Sequence, residues 1–123
     1  MSEQDGTEEH RLRLAQLALN EAAFRSLNEQ VYGPGGAGAD LPRFSIVCEC
    51  GSSSCAVTIT VEATLYSDVR SDPHRFLVML GHEKLEVENV VQRHGEIAVV
   101  EKQAGEPQRL VEDTDPRSTD APT

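Results

Sequence analysis

Cys48, Cys50 and Cys55 are the three cysteines of the chain, and they stand together as C-E-C-x4-C. Thiolates are soft donors, and a closed tetrahedral zinc site takes four ligands, so three thiols leave one position to be filled from elsewhere. Alternate residues of a strand point to one side, which lets Cys48 and Cys50 face a single ion. Gly51-Ser52-Ser53-Ser54 is a run of small residues that can turn the chain and return Cys55 to the same point. Glycine permits a positive φ there, and turn amides can hydrogen-bond the sulfurs and spread their charge.

Four histidines compete for the fourth position. His82 follows Gly81 at the end of an apolar stretch that reads as a core strand, where a turn can aim its ring at a neighbouring loop. It is the expected ligand. His74 beside Pro73, His94 in an expected hairpin turn and His10 on the first helix are the competitors; a lone imidazole is ordinarily solvent-facing or hydrogen-bonded. Glu49 or Glu83 could offer an oxygen, a poorer match beside three thiolates. Three other readings stay open: plain reduced thiols in a turn, a reversible Cys50–Cys55 disulfide with Cys48 as resolving thiol, and an iron–sulfur cluster, which usually takes four cysteines.

Catalytic signatures are thin. Gly81-His82-Glu83-Lys84-Leu85-Glu86 begins like a zincin but lacks the second histidine four positions on. There is no G-x-S-x-G elbow and no deaminase H-x-E with P-C-x-x-C. Three thiolates and an imidazole would also close a zinc site to substrate. The expectation is a protein that is not an enzyme.

The elements that must position these residues follow from local pattern. Residues 1–7 are polar and expected to be disordered. Residues 8–32 read as a helix, capped by Thr7 with Glu8 and Glu9 in its first turn. Leu14, Leu17, Phe24, Leu27 and Val31 are expected to form its buried face, and Leu12 and Leu19 to lie on another. Residues 33–42 begin Gly33-Pro34-Gly35-Gly36 and read as a flexible linker, lacking the Lys-Ser/Thr ending of a phosphate loop. An α+β core is expected over residues 43–104. Its strands are Arg43–Cys48, Ala56–Val61 and Arg75–Leu80, with a hairpin of Val87–Val91 and Ile97–Lys102 about His94-Gly95. A short helix is expected over Glu62–Ser71, stopped before Pro73. Residues 105–123 read as an acidic, disordered tail.

Composition narrows the setting. The chain has 123 residues, with 38% hydrophobic and 4% aromatic side chains and no Trp, which suits one domain with a modest core in need of a clip. Its formal net charge of −10, with basic residues scattered singly, disfavours nucleic acid. No secretory signal or bilayer-spanning stretch is read, so a cytoplasmic setting with reduced thiols is expected.

Several stretches also carry a resemblance: Asn20-Glu21, Phe24-Arg25, Asn28-Glu29, Cys48-Glu49-Cys50 with Cys55, Arg70-Ser71-Asp72-Pro73, Arg75-Phe76-Leu77-Val78 and Gly81-His82-Glu83. Val90-Val91, Val99-Val100-Glu101-Lys102 and Thr114-Asp115-Pro116-Arg117 continue it. Through these the chain resembles a family of small actinobacterial proteins with the C-E-C-x4-C and Gly-His-Glu motifs. Members often have Pro where this chain has Leu80, which makes the loop presenting His82 less rigid here. The resemblance implies no activity, substrate or partner.

The expectation is therefore a single α+β domain, one N-terminal helix packed on a small, mostly antiparallel sheet. Cys48, Cys50, Cys55 and His82 would hold structural zinc. Its first-ranked role is that of a non-catalytic protein-binding or regulatory module, engaging an unknown partner or a second copy through the first helix or an acidic face. The runner-up is a thiol-based redox or metal sensor.

Overall fold

The computed structural model describes residues 2–117, with side chains from Glu8 onward. The elements are α1 (Ser2–Tyr32), β1 (Arg43–Val47), β2 (Thr58–Glu62), α2 (Ala63–Arg70), β3 (Arg75–Met79), β4 (Glu88–His94), β5 (Ile97–Lys102) and α3 (Glu106–Asp113). β1 and β2 form an antiparallel pair; β3, β5 and β4 form a second antiparallel sheet in that order. The fold is α+β, as expected.

β5 is the central strand of the larger sheet, and both faces of that sheet are covered. Leu77, Ile97 and Val99 pack on Phe44, Ile46, Ile59 and Val61 of the β1–β2 pair and on Tyr66 and Val69 of α2. Phe76, Val78, Ala98 and Val100 pack on Ala18 of α1, Val111 of α3, and Cys48 and Cys50. Burial on two sides is why β3 reads as a continuous apolar run, whereas β1 and β2, wet on one face, alternate.

Beyond β1 the chain passes from one sheet to the other. Cys48 still donates its amide to Val57 at 3.0 Å, and Glu49 then donates to the Leu77 carbonyl of β3 at 3.0 Å. The cysteine segment thus bridges both sheets beneath α1.

The helix corrects the sequence reading most. Its buried face is Ala18, Glu21, Ala22, Arg25, Asn28 and Glu29. Leu14, Leu17 and Phe24 are only half-buried, and Leu27 and Val31 are exposed. The reason is what lies beneath: small Ala18 meets the apolar face of β3 and β5, while Arg25 and Asn28 face irregular backbone with carbonyls and amides to satisfy. Arg25 donates to the carbonyls of Pro73 and Val111, each at 2.7 Å. Asn28 holds both polar groups of Val47, accepting its N–H at 2.9 Å and donating to its carbonyl at 3.0 Å. Satisfied buried polar groups can replace apolar contact on such a surface.

Three boundaries also differ. The helix begins at Ser2, so residues 2–7, expected to be disordered, are helical; Met1 lies outside the described residues. The linker over 33–42 is not a free connector: Gly33, Gly36 and Gly38 donate in turn to Glu29, Gly33 and Val31 carbonyls, folding it against the helix end. The expected tail contains α3, anchored by fully buried Val111; only its last residues, 118–123, lie outside the described part. None of the described helices is long and apolar enough to cross a membrane.

Candidate metal centre

Cys48 and Cys50 leave the end of β1, Cys55 closes the serine turn, and His82 stands in the β3–β4 loop. One ligand atom from each lies within 4.8 Å of the others. The His82 Nδ1 is 3.6 Å from the Cys48 sulfur and 3.6 Å from the Cys55 sulfur. An imidazole Nδ1 offers one proton or one lone pair, so a hydrogen bond would favour one sulfur over the other. Equal separation suits an ion between them: ligands at about 2.3 Å (S) and 2.05 Å (N) on a tetrahedral cation lie about 3.6 Å apart. The donor set fits a metal ion.

Two glycines shape the approach. Gly51 has φ +80°, and a Cβ there would lie 2.7 Å from the Glu21 side chain and 2.8 Å from that of Leu17, so the turn presses directly on α1. Gly81, at φ +98°, turns the chain out of β3 so that His82 donates its amide to Met79 at 2.9 Å and projects its ring back toward the sulfurs.

Backbone amides converge on the thiols. Cys48 accepts from the Met79 N–H at 3.3 Å. The amides two residues downstream also favour the thiolate form of each cysteine: that of Cys50 for Cys48, Ser52 for Cys50 and Val57 for Cys55. Such N–H···S bonds stabilise thiolate charge. Without a cation, burial dominates at the two inner sulfurs, pushing Cys48 up to about 12 and raising Cys50. At the rim, the Val57 amide lowers Cys55. A cation would offset the burial of the inner pair, since a coordinated thiol is deprotonated.

The competing donors are engaged elsewhere. His74 Nε2 is 2.6 Å from a Glu112 oxygen, His94 Nε2 is 2.8 Å from Gln92, and His10 Nδ1 is 3.1 Å from Arg13. Glu83 accepts the Gly81 amide at 2.8 Å. Glu49 turns away from its flanking cysteines to accept from Arg70, from Asn28 at 2.7 Å and from the Leu77 amide at 3.0 Å.

Charged groups beneath the site went unread in the sequence. Lys102 faces Glu21 and Glu88, with Glu88 at 2.8 Å and all three fully buried. Glu88 also accepts the Lys84 amide at 2.8 Å, tying this cluster to the loop that bears His82. Glu29 takes Tyr66 at 2.6 Å and Arg117. The available signal was the spacing of Glu21, Arg25, Asn28 and Glu29, which share a helix face with Ala18 and Ala22.

Compared with family models, curated proteins and solved structures, the chain matches none.

Proposed function

We propose that Cys48, Cys50, Cys55 and His82 bind one structural zinc ion, and that the chain acts as a non-catalytic protein-binding or regulatory module. The observation that carries the metal reading is the equal 3.6 Å approach of one imidazole nitrogen to two sulfurs. Three thiolates and an imidazole suit zinc and leave no position for substrate. The ion would join the end of β1 and the serine turn to the β3–β4 loop, elements far apart in sequence. A reducing, cytoplasmic setting suits the free thiols. The outer face of α1, where Leu12, Leu19, Leu27 and Val31 are exposed, is the surface offered to a partner protein or a second copy.

The test is elemental analysis of protein purified without chelator, beside Cys55→Ser and His82→Ala. One zinc per chain, held far more weakly by both variants, is expected. Metal-free protein, or full retention by His82→Ala, would overturn the ligand set.

A second reading, a thiol-based redox or metal sensor, is favoured by one observation: Cys55 is half-exposed at the rim while Cys48 and Cys50 are buried. Peroxide would oxidise the Cys55 thiolate to a sulfenate; attack by Cys50 would then form a disulfide, with loss of the oxygen as water and release of the ion. Thiol counts unchanged by mild peroxide would remove this reading.

A further inference from the structure

The outer edge of β2 is an unpaired strand edge beside a cleft. The phase of the β1–β2 pair is fixed at both ends, by Cys48 donating to Val57 and Ala63 donating to Pro42. With Phe44 opposite Val61 and Ile46 opposite Ile59, the bonded pairs use odd-numbered residues of β2. The N–H and C=O groups of Thr58, Thr60 and Glu62 therefore point away from β1, and among the described residues no backbone group pairs with them. At the far edge of β1 the end nearest the cysteines is already taken, by Asn28 at Val47 and by β3 at Glu49.

Along this free edge runs a cleft of ≈ 710 Å³ between β2, α2 and the β4–β5 hairpin, reaching Asp68 and Ile97. An adjoining hollow of ≈ 240 Å³ continues it past Thr58 to Met79 and Glu96. Its floor includes Ile97 and Met79, which suit an apolar side chain, while Asp68 and Glu96 have no cationic partner among the described residues. Glu62 already faces Arg43. Threonines along the edge are good strand formers.

We propose that this edge takes up, as an added antiparallel or parallel strand, an extended segment of a partner protein that carries lysine or arginine at alternate positions. Main-chain bonds to Thr58, Thr60 and Glu62 would give affinity, and the carboxylates of Asp68 and Glu96 would select the basic side chains. A second copy of a chain with net charge −10 is electrostatically the wrong occupant. The inference rests on the reading of this chain as a binding module, but neither on its zinc nor on the α1 surface.

The zinc-treated full chain is titrated with acetyl-Lys-Val-Lys-Val-Lys-Val-amide and followed by amide NMR and hydrogen exchange. Saturable shifts and new protection at Thr58, Thr60 and Glu62 are expected. Asp68→Lys with Glu96→Lys should weaken binding by about tenfold or more, and N-methylating the peptide at the residues facing β2 should abolish it. No shifts, equal binding of the Glu-Val counterpart, or shifts confined to α1 would overturn the inference. Loss of peptide binding in Leu12→Ala/Leu19→Ala would also overturn it while leaving the binding-module reading standing. Peptide binding by protein that holds no zinc would support this inference and sink the metal reading alone.

Discussion

Glu49 and Arg70 meet through two hydrogen bonds, 2.7 and 3.2 Å long, with both side chains at most 1% exposed. Glu49 sits between two cysteines, so this ion pair fixes the strand end from which Cys48 and Cys50 project. Arg70 also lies 5.2 Å from the Tyr66 ring and 5.9 Å from that of Phe76. Burial opposes its charge, but Glu49, with smaller help from Tyr66 and Glu29, outweighs it and the pKa is raised overall. Removing one partner of such a pair strands the other. Glu49→Ala should therefore destabilise by about 3–5 kcal/mol in urea denaturation at fixed zinc, and Glu49→Gln by less. A loss below about 1 kcal/mol would show that Arg70 finds water or another partner.

Glu21 gives a pH dependence of defined sign. Burial is the main cause holding its pKa well above the ordinary carboxylate value; Lys102 opposes this and the neighbouring Glu88 carboxylate reinforces it. A raised carboxyl favours the folded state in its protonated form. That contribution is complete below the unfolded pKa near 4.5 and is lost as pH rises through the folded value. Glu21→Gln, which cannot ionise, should gain stability relative to the natural protein as pH increases. Parallel denaturation series at several pH values, zinc-saturated throughout, would read this; a gap independent of pH would contradict it.

Much of this was visible in the residues and some was not. β1 announced itself as a strand entering the cysteine turn, β2 by its alternation of small and β-branched residues, α2 by its stop before Pro73, and the hairpin by His94-Gly95. Cys48, Cys50, Cys55 and His82 were legible because few side chains can complete a thiolate site. The buried face of α1 was not legible, since its partners are backbone groups of Pro73, Val111 and Val47, distant in sequence. Glu49–Arg70 and Glu21–Lys102 were hidden for the same reason: a lone charge looks solvated until the fold brings its partner. α3 hid because its buried apolar anchor, Val111, stands in a polar, acidic stretch; Pro107 in its first turn was the cue that a helix could begin there.

Gly51 should resist substitution. At φ +80° an added Cβ is strained, and it would also meet Glu21 and Leu17 at under 3 Å. Gly51→Ala should destabilise by about 1–3 kcal/mol and weaken metal retention, whereas Gly95→Ala, strained but open around its Cβ, should lose less stability and keep its metal. Calorimetry with metal analysis would check both; equal effects would show that the turn does not depend on contact with α1.

Leu12 is 53% and Leu19 41% exposed, on the side of α1 away from its buried face. Leu12→Ala with Leu19→Ala should leave the thermal midpoint nearly unchanged while weakening self-association or partner capture. Sedimentation and pull-down would read this, and unchanged association would remove α1 as the binding surface.

X-ray absorption at the zinc edge tests the metal centre most directly. The account predicts three sulfur scatterers at about 2.3 Å and one nitrogen at about 2.0–2.1 Å, with the nitrogen shell lost in His82→Ala. A shell of oxygen and nitrogen alone, four sulfurs shared between chains, or no bound zinc would contradict it.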